Sequence, residues 1–221
     1  MSEIFIHTHP YTPFLFSETT KLIVGTLPPP RFTSKELKEG DVDFCYGSRD
    51  GQLWPILDRI FGLGLLYENT TEAIAQRQRF LKDRKIGICD IIAQAERSKM
   101  DASDIGMSRI VLRDLMLYLQ KYPKIDTLLF TGGNSKNGPE YLFRKLLKEH
   151  QIRLKVTQER VPRIHEFQLK GNRIIKTVSL IAPSGAANRA VGSLQDYKKL
   201  KMRYPKMTTL DYRVLQYKEF F

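Results

Sequence analysis

The sequence predicts an α/β protein, a three-layer α/β/α arrangement around a short, mainly parallel central sheet. Three observations carry this. Short apolar runs rich in Ile, Val and Leu recur at residues 21–26, 85–90, 125–130 and 177–181, each stopped by Gly, Pro, Asp or Thr. Stretches with helical spacing lie between them. The chain is also long enough, at 221 residues with 42% hydrophobic content, to bury one sizeable core. Strands buried on both faces read as continuous apolar runs, and their parallel pairing needs helical crossovers. No repeat or break in composition marks a boundary, so residues 1–221 are expected to form a single domain, with 1–20 as an N-terminal arm.

The elements follow in order. Residues 1–20 mix aromatics and prolines without a period and read as an arm packed on the domain. The run 21–26 stops at Leu27-Pro-Pro-Pro30, where prolines can continue neither ladder nor helix. Residues 31–50 are polar, punctuated by glycine, and form a long loop of the kind that is often functional. Leu53, Ile56, Leu57, Ile60 and Phe61 give the next helix, and 71–83 a polar, basic one. After the strand 85–90 a loop is expected to about 103, then a long amphipathic helix over 104–121 with Ser103 as its cap. A strand at 125–130 ends in Thr131-Gly-Gly-Asn134, and a helix covers 139–150. Residues 163–181 read as a hairpin turning at Gly171-Asn172. A basic helix over 189–203 and an amphipathic segment over 208–219 close the chain.

Lys and Arg number 36 against 24 Asp and Glu, a net charge of +12. Such an excess attracts polyanions, nucleic acid first and anionic membrane second. Cys45 and Cys89 are far apart among apolar neighbours and read as buried thiols in a reducing compartment. Two cysteines exclude four-cysteine zinc and iron–sulphur sites, and His7, His9, His150 and His165 form no ligand set, so neither metal nor cofactor is expected. No apolar run is long enough to span a bilayer, and Met1-Ser2-Glu3 does not open a signal peptide, so a cytoplasmic location is expected.

In open parallel sheets the ligand sits beyond the carboxyl ends of the strands. The end-of-strand segments 25–30, 89–92, 131–134 and 182–188 should therefore converge on one crevice. Gly132-Gly133-Asn134 is no phosphate loop, because no Gly-Lys-Ser/Thr follows.

Four stretches carry a family signal. They are Gly25-Thr-Leu-Pro-Pro-Pro30, Tyr46-Gly-Ser-Arg-Asp-Gly-Gln-Leu-Trp54, Gly87-Ile-Cys-Asp-Ile-Ile92 with the tail to Ile105, and Ala182-Pro-Ser-Gly-Ala-Ala-Asn188. Their order and placement resemble the uracil-DNA glycosylase superfamily, nearest the mismatch-specific and hypoxanthine-DNA glycosylase branches. Gly25 to Pro28 match its Gly-x-x-Pro, and Tyr46 stands eight residues before Trp54 as in those branches. Asp90, Arg97 and Ile105 match the third motif around Ala102; Pro183, Ser184 and Gly185 match the last. The resemblance covers roughly residues 20–205. This chain departs from the pattern at Leu27, Gly51 and Ala182, where relatives carry polar groups, and Ala186 and Ala187 replace the leucine that wedges into the duplex.

The resemblance implies a monofunctional DNA glycosylase without a cofactor, acting as a monomer on single-stranded or mismatched DNA and removing uracil or hypoxanthine. Tyr46, with Gly25 and Thr26, would bind the base; the alternative for Tyr46 is a plain core aromatic. Asp50 or Asp90 would orient water and support the sugar cation. Asp50 otherwise reads as a turn residue, and Asp90 as a cap, an anchor or a reader of the base edge. Pro183, Ser184, Gly185, Asn188 and Arg189 would grip the DNA backbone, unless they are an ordinary strand-to-helix turn. A non-catalytic nucleic-acid-binding protein of the same fold, and an enzyme of that fold acting on a nucleoside or nucleotide, are the rivals.

Overall fold

The computed structural model describes residues 4–221; the opening Met1-Ser2-Glu3, read above for a signal peptide, lies outside the described residues. The chain opens with strand β1 (Phe5–Thr8) and strand β2 (Lys21–Val24). A short helix α1 (Pro30–Thr33) leads through the long loop to α2 (Leu53–Phe61) and α3 (Thr71–Asp83). Then come β3 (Ile86–Ile88), β4 (Ile92–Arg97), β5 (Met107–Leu112), α4 (Leu115–Lys121), β6 (Thr127–Phe130) and α5 (Pro139–Glu149). Strands β7 (Lys155–Gln158), β8 (Arg163–Gln168) and β9 (Ile174–Ser179) precede α6 (Asn188–Ser193), α7 (Gln195–Arg203) and α8 (Thr209–Lys218).

The central sheet has six strands in the order β3-β2-β6-β9-β8-β7. The first four are parallel, and β8 and β7 extend the sheet antiparallel beyond β9. Register explains the layering. Ile88, Ile23, Leu129 and Val178 align across the parallel strands and bury against Leu53, Trp54, Leu57 and Leu81 of α2 and α3 and Tyr217 of α8. Their neighbours Leu22, Val24, Leu128 and Phe130 face the other way, onto Leu115 and Leu119 of α4 and Phe143 and Leu147 of α5. The two-residue alternation of a strand thus feeds two cores, one on each face. This is the three-layer α/β/α fold with a mainly parallel sheet.

Several local expectations need correction. Residues 92–97, expected as loop, and 107–112, expected within a long helix, pair instead as antiparallel β4 and β5, with β1 on the other side of β4. In β4 the buried positions are Ile92, Ala95 and Arg97, and in β5 the face is set by Met107, a pattern no helical period fits. Only a 3-10 turn (Asp104–Gly106) precedes β5, and Ser103 makes no side-chain cap. The true cap of α4 is Asp114, whose side chain accepts from the Leu117 amide. The described part of the arm, residues 4–20, is woven in rather than merely packed on, because β1 pairs with β4 and Phe14 bridges Ile88. The basic helix expected over 189–203 is two helices, broken at Leu194, whose ψ of 130° is extended.

Candidate functional site

Strand β2 is the switch point of the parallel sheet: β3 lies on one side of it and β6 on the other. Ligands of doubly wound sheets sit at the carboxyl end of such a strand. A cavity of about 260 Å³ opens there. It is lined by Thr26, Leu27, Pro28 and Pro29 after β2, Asp90 after β3, Thr131 after β6 and Ala182, Pro183 and Ser184 after β9, so all four end-of-strand segments reach it. His9 and Tyr11 of the arm, Cys45–Tyr46, Ser48 and Asp50–Gln52 of the long loop, and Ala102 and Asp104 complete the wall.

The floor is a hydrogen-bonded knot around Asp90. Its Oδ1 accepts from the Gly25 amide at 2.7 Å and from the Tyr46 hydroxyl at 2.7 Å. Its Oδ2 accepts from His9 Nε2 at 2.9 Å, while His9 Nδ1 accepts from the Tyr11 amide, which fixes the Nε2–H tautomer. Burial and the Asp90 carboxylate together push the Tyr46 phenol well above its ordinary range, so it stays a donor. Gly25 is obligatory for the knot: a Cβ there would stand 2.2 Å from the Tyr46 hydroxyl and 2.8 Å from Asp90 Oδ1. Both oxygens of Asp90 are engaged inward, and this carboxylate positions the floor and the Tyr46 ring.

Tyr46 has a left-handed backbone, φ 59°, rare for a bulky residue. The turn holding it needs Gly47, whose Cβ would lie 1.9 Å from the Val42 carbonyl oxygen. The loop is ordered around Asp41, fully buried, which accepts from Arg31 Nε and Nη2 and from the amides of Lys38 and Arg49. Burial alone would raise the Asp41 carboxyl; these donors overcome it and hold the group at about 2. Arg31 also reaches Asp50 at 3.1 Å. Asp50 therefore stands at the rim, its side chain 70% exposed and turned to Arg31.

Asp104 is a carboxylate that the motif reading missed. It lines the pocket half-buried, and its Oδ1 accepts from the Thr26 hydroxyl at 2.8 Å. Among the described residues its second oxygen has no hydrogen-bonding partner. Burial raises its pKa against the lowering pull of the Thr26 bond and Arg97. Nothing in local sequence marks it, because its value comes from the contact with Thr26, 78 positions away.

The last segment is held from behind. Gly51 bridges Ser184, and the Gln52 amide donates to the Pro183 carbonyl. Arg213 of α8, fully buried, donates to the carbonyls of Ala182 and Ser184 and to Asn188 Oδ1. Sequence reading missed Arg213 too, since an arginine in an amphipathic helix looks like a surface charge. Asn188 is thereby tied inward, and it also accepts from Thr209. Pro183 is buried; Gly185 and Arg189 are exposed; the Ser184 hydroxyl makes no hydrogen bond among the described residues. The structure brings Thr26, Tyr46, Asp90, Pro183 and Ser184 together at the pocket, with Gly25 beneath them bonded to Asp90 and Asp50 at the edge, and leaves Gly185, Asn188 and Arg189 outside its wall.

A scan against models of known protein families finds no match, and neither does a search of the curated proteins. A solution NMR structure of a "putative Uracil DNA glycosylase" from Methanosarcina acetivorans shares the fold, with a TM-score of 0.53 and 16% identity over 95% of this chain and 99% of that one. The likeness shows the fold: both chains share an α/β/α arrangement with a central, mainly parallel sheet flanked by helices.

Proposed function

We propose that the protein hydrolyses the N-glycosidic bond of a deaminated base, uracil or hypoxanthine, that has left the DNA stack. The supporting observation is the pocket at the switch point. It is closed on one side by the Tyr46 ring and by prolines, and a half-buried carboxylate, Asp104, keeps one oxygen available. Extruding a nucleotide costs about a few kcal/mol. Stacking on the Tyr46 ring returns about 1–3 kcal/mol of that. Thr26 lines the pocket and would read the base edge, while Gly25, its amide and carbonyl bonded to Asp90 and Ile91, serves the floor, and Asp90 keeps Tyr46 in place.

As the glycosidic bond breaks, the sugar gains oxocarbenium character that a nearby carboxylate stabilises in a site shielded from solvent. Asp104 is the best-placed group: its available oxygen takes a proton from a water whose hydroxyl adds to the sugar carbon, and that proton passes on to the departing base. Asp50, more exposed and paired with Arg31, supports from the rim. Ser184, by its hydroxyl, and the Gly185 amide at the start of a 3-10 turn contact backbone phosphate, with exposed Arg189 beside them; Pro183 and Asn188 shape that turn. The protein works as a monomer, in the cytoplasm, on single-stranded or mismatched DNA, without a cofactor. Among the described residues no helix is long and apolar enough to cross a membrane.

One observation favours a second reading. Leu27, Gly51 and Ala182, where relatives carry polar groups, all line this pocket, which leaves much of its wall unable to activate water. A protein that binds an extruded base without cleaving would look the same. Abasic-site formation on oligonucleotides carrying uracil, hypoxanthine or xanthine decides between the two. Asp104→Asn is expected to lower the rate at least about a hundredfold, the scale of losing one general base, and Asp50→Ala much less. Equal rates for wild type and Asp104→Asn would remove Asp104 from the mechanism.

A further inference from the structure

Ile105 is the second residue of the 3-10 turn whose first residue, Asp104, lines the pocket, and it is 70% exposed. An isoleucine so exposed usually sits on a mobile tip, but this turn is nailed down from beneath. Asn137, 5% exposed, donates its side-chain amide to the carbonyls of Asp104 and Met107 at 2.9 and 3.0 Å. Arg97, 1% exposed, donates to the Ser103 carbonyl at 2.7 Å, and Asp101 accepts from the Ser103 amide at 3.0 Å. Two buried polar side chains are thus committed to holding an apolar side chain in water at the mouth of a pocket. Burial would stabilise that side chain by about 1.5–3 kcal/mol, so the exposure carries a cost.

The flanks state the partner's charge. Lys99 precedes the turn, and Lys136 adjoins the Asn137 that pins it; both are exposed, and neither has an ion-pair partner among the described residues. An exposed apolar side chain on a pinned turn, with unpaired cations in the segments that carry and pin it, suits a polyanion with an apolar interior, which is a base stack. Proteins that open duplexes insert such side chains between base steps. Ala186 and Ala187, which follow the pocket-lining Ser184, are too small to fill a vacated position.

We infer that Ile105 enters the DNA duplex as the target nucleotide leaves it, filling the vacated stack from the part of the pocket wall that Asp104 forms. This rests on the pocket being the seat of an extruded base. It gives the wedge to the Asp104 turn and makes the protein's use of duplex DNA depend on Ile105, whereas its use of single strands does not.

The test uses full-length protein and a probe independent of catalysis. Duplex and single-stranded oligonucleotides carry uracil with 2-aminopurine as its neighbour, and both affinity and 2-aminopurine fluorescence are measured. Ile105→Ala is compared with wild type and with Ile174→Ala, an equally open isoleucine, 58% exposed, at the start of β9 and away from the site. For Ile105→Ala we expect single-strand affinity within about twofold of wild type, duplex affinity weakened about tenfold, and loss of the duplex fluorescence rise. Ile174→Ala should behave as wild type. An unchanged ratio of duplex to single-strand affinity in Ile105→Ala, or no fluorescence rise with wild-type protein on duplex, overturns the inference. A rise that depends on Ile105, without base release from any substrate, sustains the wedge and sinks the glycosylase reading instead.

Discussion

At the scale of single residues, the site depends on one missing side chain and one available oxygen. Gly25 lets the Tyr46 hydroxyl, Asp90 and Thr131 close over the end of β2, where a Cβ would clash with that hydroxyl at 2.2 Å. Gly25→Ala is therefore expected to destabilise by about 1–3 kcal/mol, the cost of overpacking a tight site. It should also displace the Tyr46 ring, so base binding fails along with stability; a variant with wild-type midpoint and affinity would show that the knot is not closed in solution. Asp104 gives a pH signature. Its pKa is raised by burial, and only the ionised form can take a water proton, so activity falls as pH drops through that raised value. The acid limb of kcat/KM should thus lie above the ordinary aspartate range, near 3.9, and a limb at or below that value would contradict the assignment. Of these residues Gly25, Thr26 and Asp90 were placed near the pocket by the apolar runs they end or follow, and Tyr46 by the resemblance, from its position eight residues before Trp54. Asp104 was not: its partner Thr26 is far off in sequence, and its local pattern reads as the first turn of a helix.

At the scale of elements, strands buried on both faces announce themselves and mostly exposed strands do not. β2, β3 and β6 read as apolar runs because both faces meet a core. β7, with the sequence Lys-Val-Thr-Gln and mostly exposed, carries no such signal and was not foreseen. β4 and β5 were misread because polar groups, Arg97 and His7, are buried in the β1-β4-β5 sheet beside Ile92, Ala95 and Met107 and break the apolar pattern of its strands. That sheet titrates. Arg97 Nε donates to His7 Nδ1 at 2.7 Å, which requires a neutral ring. Burial first, and the Arg97 charge second, push His7 down from 6.5 to about 4. Between those values the unfolded chain binds a proton that the folded one refuses, so stability drops as pH falls from about 6.5 to about 4, and this group adds no further loss below. Urea midpoints between pH 7 and pH 4 should fall for wild type more steeply than for His7→Gln. Parallel slopes would show that the ring is protonated in the native sheet.

At the scale of the whole molecule, the fold class followed from alternation of apolar runs with helical spacing, and the two faces of the sheet reproduce that pattern in three dimensions. The convergence of four end-of-strand segments was legible for the same reason, since parallel strands all present their carboxyl ends to one side. What holds the segments there, Asp41 in the long loop and Arg213 in the last helix, was not legible, because their partners are backbone groups that only the folded chain brings near. The net charge of +12 belongs to this scale as well. If phosphate contacts dominate binding, log affinity falls linearly with log salt at a slope of about −0.7 to −0.9 per contact. A total slope steeper than about −3 is expected, and a flat one would favour a small-ligand enzyme of the same fold. The central claim is that a base is cleaved in the pocket at the end of β2. Mass spectrometry of the free base released from single-stranded oligonucleotides carrying uracil or hypoxanthine tests it most directly. Free base in proportion to abasic sites, from wild type and not from Asp104→Asn, is the expected result; salt-sensitive binding with no base released from either substrate would contradict it.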